Sequence, residues 1–167
     1  MKKIILTEKQ ARKLVQLMNE GMEKPYASAA VFLFAKNETD EWCILCGKRA
    51  GNDSRFNGGE FDVPCGCKEP NENPKQTAVR ETFEETGIEI NPNDIQYVEK
   101  HPWGDSEGNY GMNFYCICDE CLPIKRGDDE HEFFKWLPIK QISSLKWAFN
   151  MDEKIMKYFK MFVENNK

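Results

Sequence analysis

A basic excess is missing from this sequence: 28 acidic residues stand against 23 basic ones, and the net charge at pH 7 is −5. Without a broad positive surface to neutralise a nucleic-acid backbone, a nucleic-acid polymer is excluded as the expected partner. Long apolar runs are missing too. The N-terminal stretch MKKIILTEKQARK has only three consecutive strongly apolar residues, Ile4 to Leu6, too few for a signal-peptide core or a membrane span. No membrane partner and a cytoplasmic location are expected. Seven cysteines cannot all pair with one another. A chain of 167 residues, 40% hydrophobic and 12% aromatic, can build a core without covalent staples, so reduced thiols are expected. Histidine is scarce, and His101 and His131 fit surface or core positions better than catalytic ones. No internal repeat, low-complexity tract or Pro/Gly/Ser linker divides the chain. It reads as one domain over residues 1–167, with residues 1–24 as an N-terminal helical extension.

What is there reads as mixed strands and helices. Residues 7–22, TEKQARKLVQLMNEGM, place Ala11, Leu14, Val15, Leu17 and Met18 at helical spacing after a Thr7 cap, which predicts a helix. The apolar runs 27–35 and 41–47, separated by the turn-like KNETD, predict a hairpin of core strands. Residues 50–60 are rich in turn formers and give way to a short strand at 61–64. From 73 to 87 the helix signals are complete: Asn73 as N-cap, Pro74 at the first position, Gln76 three beyond the cap and Gly87 as the stop. Further strands are expected at 94–101, 110–119 and 132–137, with terminal helices at about 138–145 and 149–164. The whole predicts an α/β sandwich.

The helix at 73–87 carries the chemistry. Glu81, Glu84 and Glu85 are spaced by three and four residues, so their carboxylates share one face. Val79 and Phe83 fall on the opposite side, where they are expected to anchor the helix in the core. Three adjacent like charges raise one another's pKa, a cost that a divalent cation removes. Carboxylate oxygens suit magnesium, which also keeps waters and substrate phosphates in its shell. In a chain of net negative charge a phosphate-bearing substrate needs such a local ion, or arginines and backbone amides. By themselves the three glutamates are more often a solvated acidic helix face than a metal site.

The surrounding segment decides between the two. Residues 66–88, GCKEPNENPKQTAVRETFEETGI, resemble the Nudix box, G-x5-E-x7-REUxEExGU, at Gly66, Glu72, Arg80, Glu81, Glu84, Glu85, Gly87 and Ile88. Thr82 alone departs, standing where an aliphatic residue is usual. At average amino-acid usage such a coincidence is expected in about one in a million chains of this length. The resemblance implies an α/β/α sandwich with a mixed β-sheet, here with added N-terminal and C-terminal helices. It also implies hydrolysis of a nucleoside diphosphate linked to another moiety, with Mg2+ as cofactor and Mn2+ as an alternative. Carried over by position, Glu81, Glu84 and Glu85 hold the metal, joined by the backbone carbonyl of Cys65. Most relatives have glycine at that last position. Arg80 and Glu72 orient the cluster, Gly66 makes the close turn, and Gly87 belongs to the structure of the motif.

Outside the box, CGKRA resembles the pattern in which an arginine reaches the substrate phosphate, and this makes Arg49 a candidate. DDEHEFFKWLPI resembles the acidic loop and aromatic strand that supply a further metal-linked or basic glutamate. Glu130 fits best there, with Asp128, Asp129 and Glu132 as rivals. Hydrolysis needs a water in line with phosphorus and a carboxylate to take its proton, and either Glu81 or Glu130 fills that role. Trp103, Tyr110, Phe114 and Phe61 are able to stack on a nucleobase, although aromatics on strands are more often core.

Two other classes stay open. Cys43/Cys46, Cys65/Cys67 and Cys116/Cys118/Cys121 are spaced like zinc ligands. Cys43 and Cys46 sit in a strand whose three-residue spacing points them to opposite faces, so zinc is best sought among Cys116, Cys118 and Cys121. A non-catalytic nucleotide-binding module is the other class, although such modules typically lose box carboxylates and all are present here. The N-terminal helix packs either on its own core or on a second subunit, giving a monomer or a homodimer.

Overall fold

The computed structural model describes residues 26–51, 58–102, 109–125 and 129–164. The helix expected over 7–22, Trp103 and Asp128 lie outside the described residues. Among the described residues, seven strands form one mixed sheet: β1 (Tyr26–Lys36), β2 (Trp42–Arg49), β3 (Phe61–Asp62), β4 (Cys65–Cys67), β5 (Gln96–Pro102), β6 (Tyr110–Ile117) and β7 (His131–Pro138). Helix α1 (Pro74–Thr86) follows β4, and α2 (Met151–Tyr158) follows β7.

β1 is the central strand, buried on both faces from Ser28 to Ala35, which is why it reads as an unbroken apolar run. It pairs in parallel with β6, and β6 pairs antiparallel with β5. Its other edge is shared. The C-terminal half of β1 pairs with β2 (Phe34↔Ile44), while its N-terminal half pairs with β4 (Ala30↔Cys65). β2 in turn leaves β1 to pair with β3 (Gly47↔Asp62), and β7 lines its outer edge. β1 and β2 thus splay into a fork, and the short strands β3 and β4 fill it.

Each face of the sheet has its own core. On one side Ala30, Phe32, Phe34, Ile44 and Cys46 pack with Met151, Ile155 and Tyr158 of α2. On the other, Ala29, Val31, Leu33 and Leu45 pack with Ala78 of α1 and with Ile88 and Ile95. Two helical layers around a mixed sheet make the α/β/α sandwich. The expected helix at 138–145 is a 3-10 turn, Ile139–Ser144. The one expected from 149 begins at Met151, after Phe149 and Asn150 take left-handed backbone conformations (φ 56° and 55°), and it ends in a π turn, Phe159–Glu164.

Candidate active site

Helix α1 is held at both ends by the residues its sequence advertises. Asn73 Oδ1 accepts from the Gln76 amide at 3.1 Å, and Gln76 Oε1 accepts from the Asn73 amide at 2.9 Å, a reciprocal cap that satisfies two otherwise orphan donors. Gly87 ends the helix at φ 71°, its amide donating to Phe83 O at 2.8 Å. The face turned to the sheet differs in part from the expected one, for Val79 packs at the edge of the core and Phe83 does not. Ala78, Thr82, Glu85 and Thr86 are buried, whereas Phe83 is 39% exposed and Val79 is half-buried. Phe83 is therefore not the core anchor that its hydrophobicity suggests. Thr82 fills its aliphatic position because its hydroxyl donates to Ala78 O at 2.8 Å, leaving no polar atom unmet.

On the exposed flank Arg80 gathers the carboxylates. Its Nε and Nη2 donate to Glu72 at 2.7 and 3.1 Å, its Nη2 also to Cys67 O at 2.8 Å, and its Nη1 lies 2.8 Å from both Glu81 and Glu84. Glu72 further accepts from the Glu69 amide and the Thr77 hydroxyl, at 2.9 and 2.7 Å, which ties the loop before α1 to the helix. Glu85 accepts from the Cys65 amide of β4 at 3.2 Å. Glu81 occupies the space beside Gly66, where a Cβ would come 2.2 Å from its Cδ. Burial raises the Glu81 carboxyl above the usual range; Arg80 opposes this, and Glu84 and Glu72 add to it.

Among the described residues, no three His, Cys, Asp or Glu side chains converge closely enough to hold a metal ion. Glu81 and Glu84 both lie on one nitrogen of Arg80, and Glu85 accepts from the Cys65 amide. As a donor set, three hard carboxylates within one helical turn, one of them disfavoured as an anion by its burial, fit a divalent cation such as magnesium.

A second charged group lies at the β2–β3–β7 corner. Arg49 is 5% exposed and points inward, Nη1 donating to Asp62 at 2.6 Å and Nη2 lying 3.6 Å from Glu130. Asp62 is fully buried and also meets His131 Nε2 at 3.0 Å. Of Glu130's rivals, Glu132 pairs with Lys48 at 2.6 Å and Asp129 is exposed. Phe61 and Phe114 are core residues, and Tyr110 is half-buried beneath Lys100. Asp62 and His131 were not legible as site residues. The one available signal was a carboxylate inside the apolar run FDV, since a buried charge requires partners.

The cysteine constellations dissolve in the fold. All seven thiols are free. Cys116 and Cys118 neighbour each other and Cys121 neighbours Cys43, and among the described residues the alternative zinc set of Cys116, Cys118 and Cys121 does not converge.

A NUDIX domain model matches residues 24–159. The chain belongs to that family. Among solved structures it is similar to the NUDIX domain of Shewanella oneidensis NrtR complexed with ADP ribose, at 16% identity and a TM-score of 0.70, covering 95% of this chain and 100% of that one. The MutT protein from Methanosarcina mazei is 26% identical with a TM-score of 0.61, over 88% and 100% of the two chains. A C. elegans Ap4A hydrolase binary complex is 17% identical with a TM-score of 0.60, over 83% and 97%. No curated protein matches the sequence. As a Nudix protein the chain is a pyrophosphohydrolase, of the kind acting on nucleoside diphosphate derivatives. Its Nudix box, Gly66 to Ile88, runs from β4 through α1 to the left-handed Gly87.

Proposed function

We propose that this Nudix enzyme hydrolyses a phosphoanhydride bond of a nucleoside diphosphate derivative with Mg2+, or alternatively Mn2+, held by Glu81, Glu84 and Glu85 and the Cys65 carbonyl. The carrying observation is that Glu81 and Glu85 of α1 meet Gly66 and the Cys65 amide of β4, while Arg80, locked to Glu72, holds Glu81 and Glu84. When bound, the cation neutralises charge on the phosphate oxygens and leaving group. Glu130 or Glu81 takes the proton of a water that attacks phosphorus; the P–O bond to the leaving phosphate breaks, and the water's oxygen stays on phosphorus. Arg49, the candidate phosphate contact, donates to Asp62 through Nη1 in this structure, which holds its guanidinium at the β2–β3–β7 corner.

The substrate is a small nucleotide, consistent with neighbours described with ADP ribose and as an Ap4A hydrolase. A cytoplasmic location accords with seven free thiols, and the chain acts as a monomer or a homodimer.

The test is phosphate or nucleoside monophosphate release from nucleoside triphosphates, nucleotide sugars, ADP-ribose and dinucleoside polyphosphates. Wild type is compared with Glu84→Gln. Magnesium-dependent turnover of one class, reduced at least 100-fold in the variant, is expected. Folded wild-type protein that binds metal yet turns over nothing would leave a nucleotide-binding module in place of the hydrolase.

A further inference from the structure

We infer that Asp62 is a positioning residue which, through Arg49 and His131, fixes Glu130 at the start of β7 for its part in turnover; this rests on the hydrolase function proposed above. A carboxylate with no solvent exposure is costly unless charged or polar donors surround it. Asp62 has two such donors on opposite oxygens: Arg49 Nη1 at 2.6 Å on Oδ2 and His131 Nε2 at 3.0 Å on Oδ1. Both lead to residue 130. The other end of the Arg49 guanidinium lies 3.6 Å from Glu130 Oε2, and His131 is the next residue in the chain. The Ala50 amide also donates to Glu130 O at 2.8 Å. Gly47 leaves room for the His131 ring: a Cβ there would come 2.7 Å from His131 Cδ2 and 2.7 Å from Phe134.

These contacts converge on one residue from one side. Asp62 lies three positions before Cys65, whose amide holds Glu85. The segment 62–65 therefore grips the box helix at one end and, through its buried charge, the start of β7 at the other. The Glu130 side chain is 70% exposed, so packing does not orient it. A forked guanidinium, itself pinned from behind, supplies direction that a flexible lysine would not. A buried pair that only cements the core would affect folding and leave the chemistry of the folded molecules alone. A positioning role couples Asp62 to Glu130 in turnover.

The experiment is a double-mutant cycle of Asp62→Asn and Glu130→Gln on the full chain, with kcat and KM measured on whichever phosphoanhydride is turned over and melting followed in parallel. Glu130→Gln is expected to lower kcat on the order of 100-fold. Asp62→Asn is expected to lower it about 10- to 100-fold with KM within about threefold. The double variant should fall no more than about threefold below the worse single one. Multiplicative losses, or an Asp62→Asn protein that melts earlier but keeps wild-type kcat, would overturn the inference. If Asp62→Asn does not fold, Arg49→Lys takes its place in the cycle, keeping the charge while losing the fork.

Hydrogen exchange at residues 129–133 gives a readout independent of turnover. Asp62→Asn should accelerate exchange there and leave α1 unchanged; unchanged exchange at 129–133 overturns the inference. Absence of turnover in wild type would remove the hydrolase reading itself, and exchange alone then decides whether Asp62 fixes residue 130.

Discussion

Glu72 accepts four hydrogen bonds, two from Arg80, one from the Glu69 amide and one from the Thr77 hydroxyl. All favour its anion, with the arginine first, and they hold its pKa down to about 2 against an ordinary 4.5. A carboxyl with a lower pKa in the folded than in the unfolded chain stabilises the fold fully above its unfolded value. That contribution is lost as pH falls from about 4.5 toward 2. Allowing for solvent at the arginine end, it amounts to about 1–2 kcal/mol. Glu72→Gln should therefore reduce stability at pH 7 by roughly that amount and flatten the loss between pH 4.5 and 2.5. Urea unfolding at pH 7, 4.5 and 2.5 tests this; an equally steep acid loss in the variant would show that other groups carry it. Glu81 behaves oppositely, because burial dominates and raises its carboxyl. Divalent-cation affinity should thus begin to fall, as pH is lowered, above the range of an ordinary carboxylate.

At the scale of elements, α1 was the most legible part of the molecule because its signals are local. The Asn-Pro-x-Gln start and Gly87 stop act through bonds within three or four residues, and the carboxylate face follows from the helical period alone. Asn73→Ala is expected to cost about 1 kcal/mol, measured by chemical denaturation, while kcat of the folded fraction stays put. The arc of α1 that meets the sheet was not legible: hydrophobicity favours Phe83, yet the approach of α1 to β1 and β4 sets the arc at Ala78, Thr82 and Glu85. Gly66 belongs to the same contact. Its alanine would place a Cβ 2.2–2.4 Å from the Glu81 carboxylate and force that group away. Gly66→Ala should keep the fold, as judged by circular dichroism, and lose activity on the order of 100-fold. Near-wild-type turnover would mean that Glu81 can work from elsewhere.

Across the whole molecule, layers and strand order were partly written in the sequence, since the long apolar runs of β1 and β2 identify the centre of the sheet. The fork was not, because β3 and β4 have two and three residues and take their place only from pairing with distant strands. The 69-residue separation of Asp62 and His131 likewise leaves no local trace. That long-range closure sets Asp62 and Glu130 around Arg49 at the corner, apart from the cluster of Glu81 and Glu84 around Arg80 on α1. An unfolded chain has no such cluster, so a cation that binds it binds the folded state alone and must stabilise it. At 100 times Kd the gain is about 2.7 kcal/mol, roughly 5–10 °C in Tm for a domain of this size. Melting in EDTA and in rising Mg2+ should show that shift with a logarithmic dependence on concentration, and the double variant Glu81→Gln, Glu84→Gln should lose it. An equal shift in the double variant would assign it to general screening, and the carboxylate face of α1 would then be a charged surface with no cation of its own.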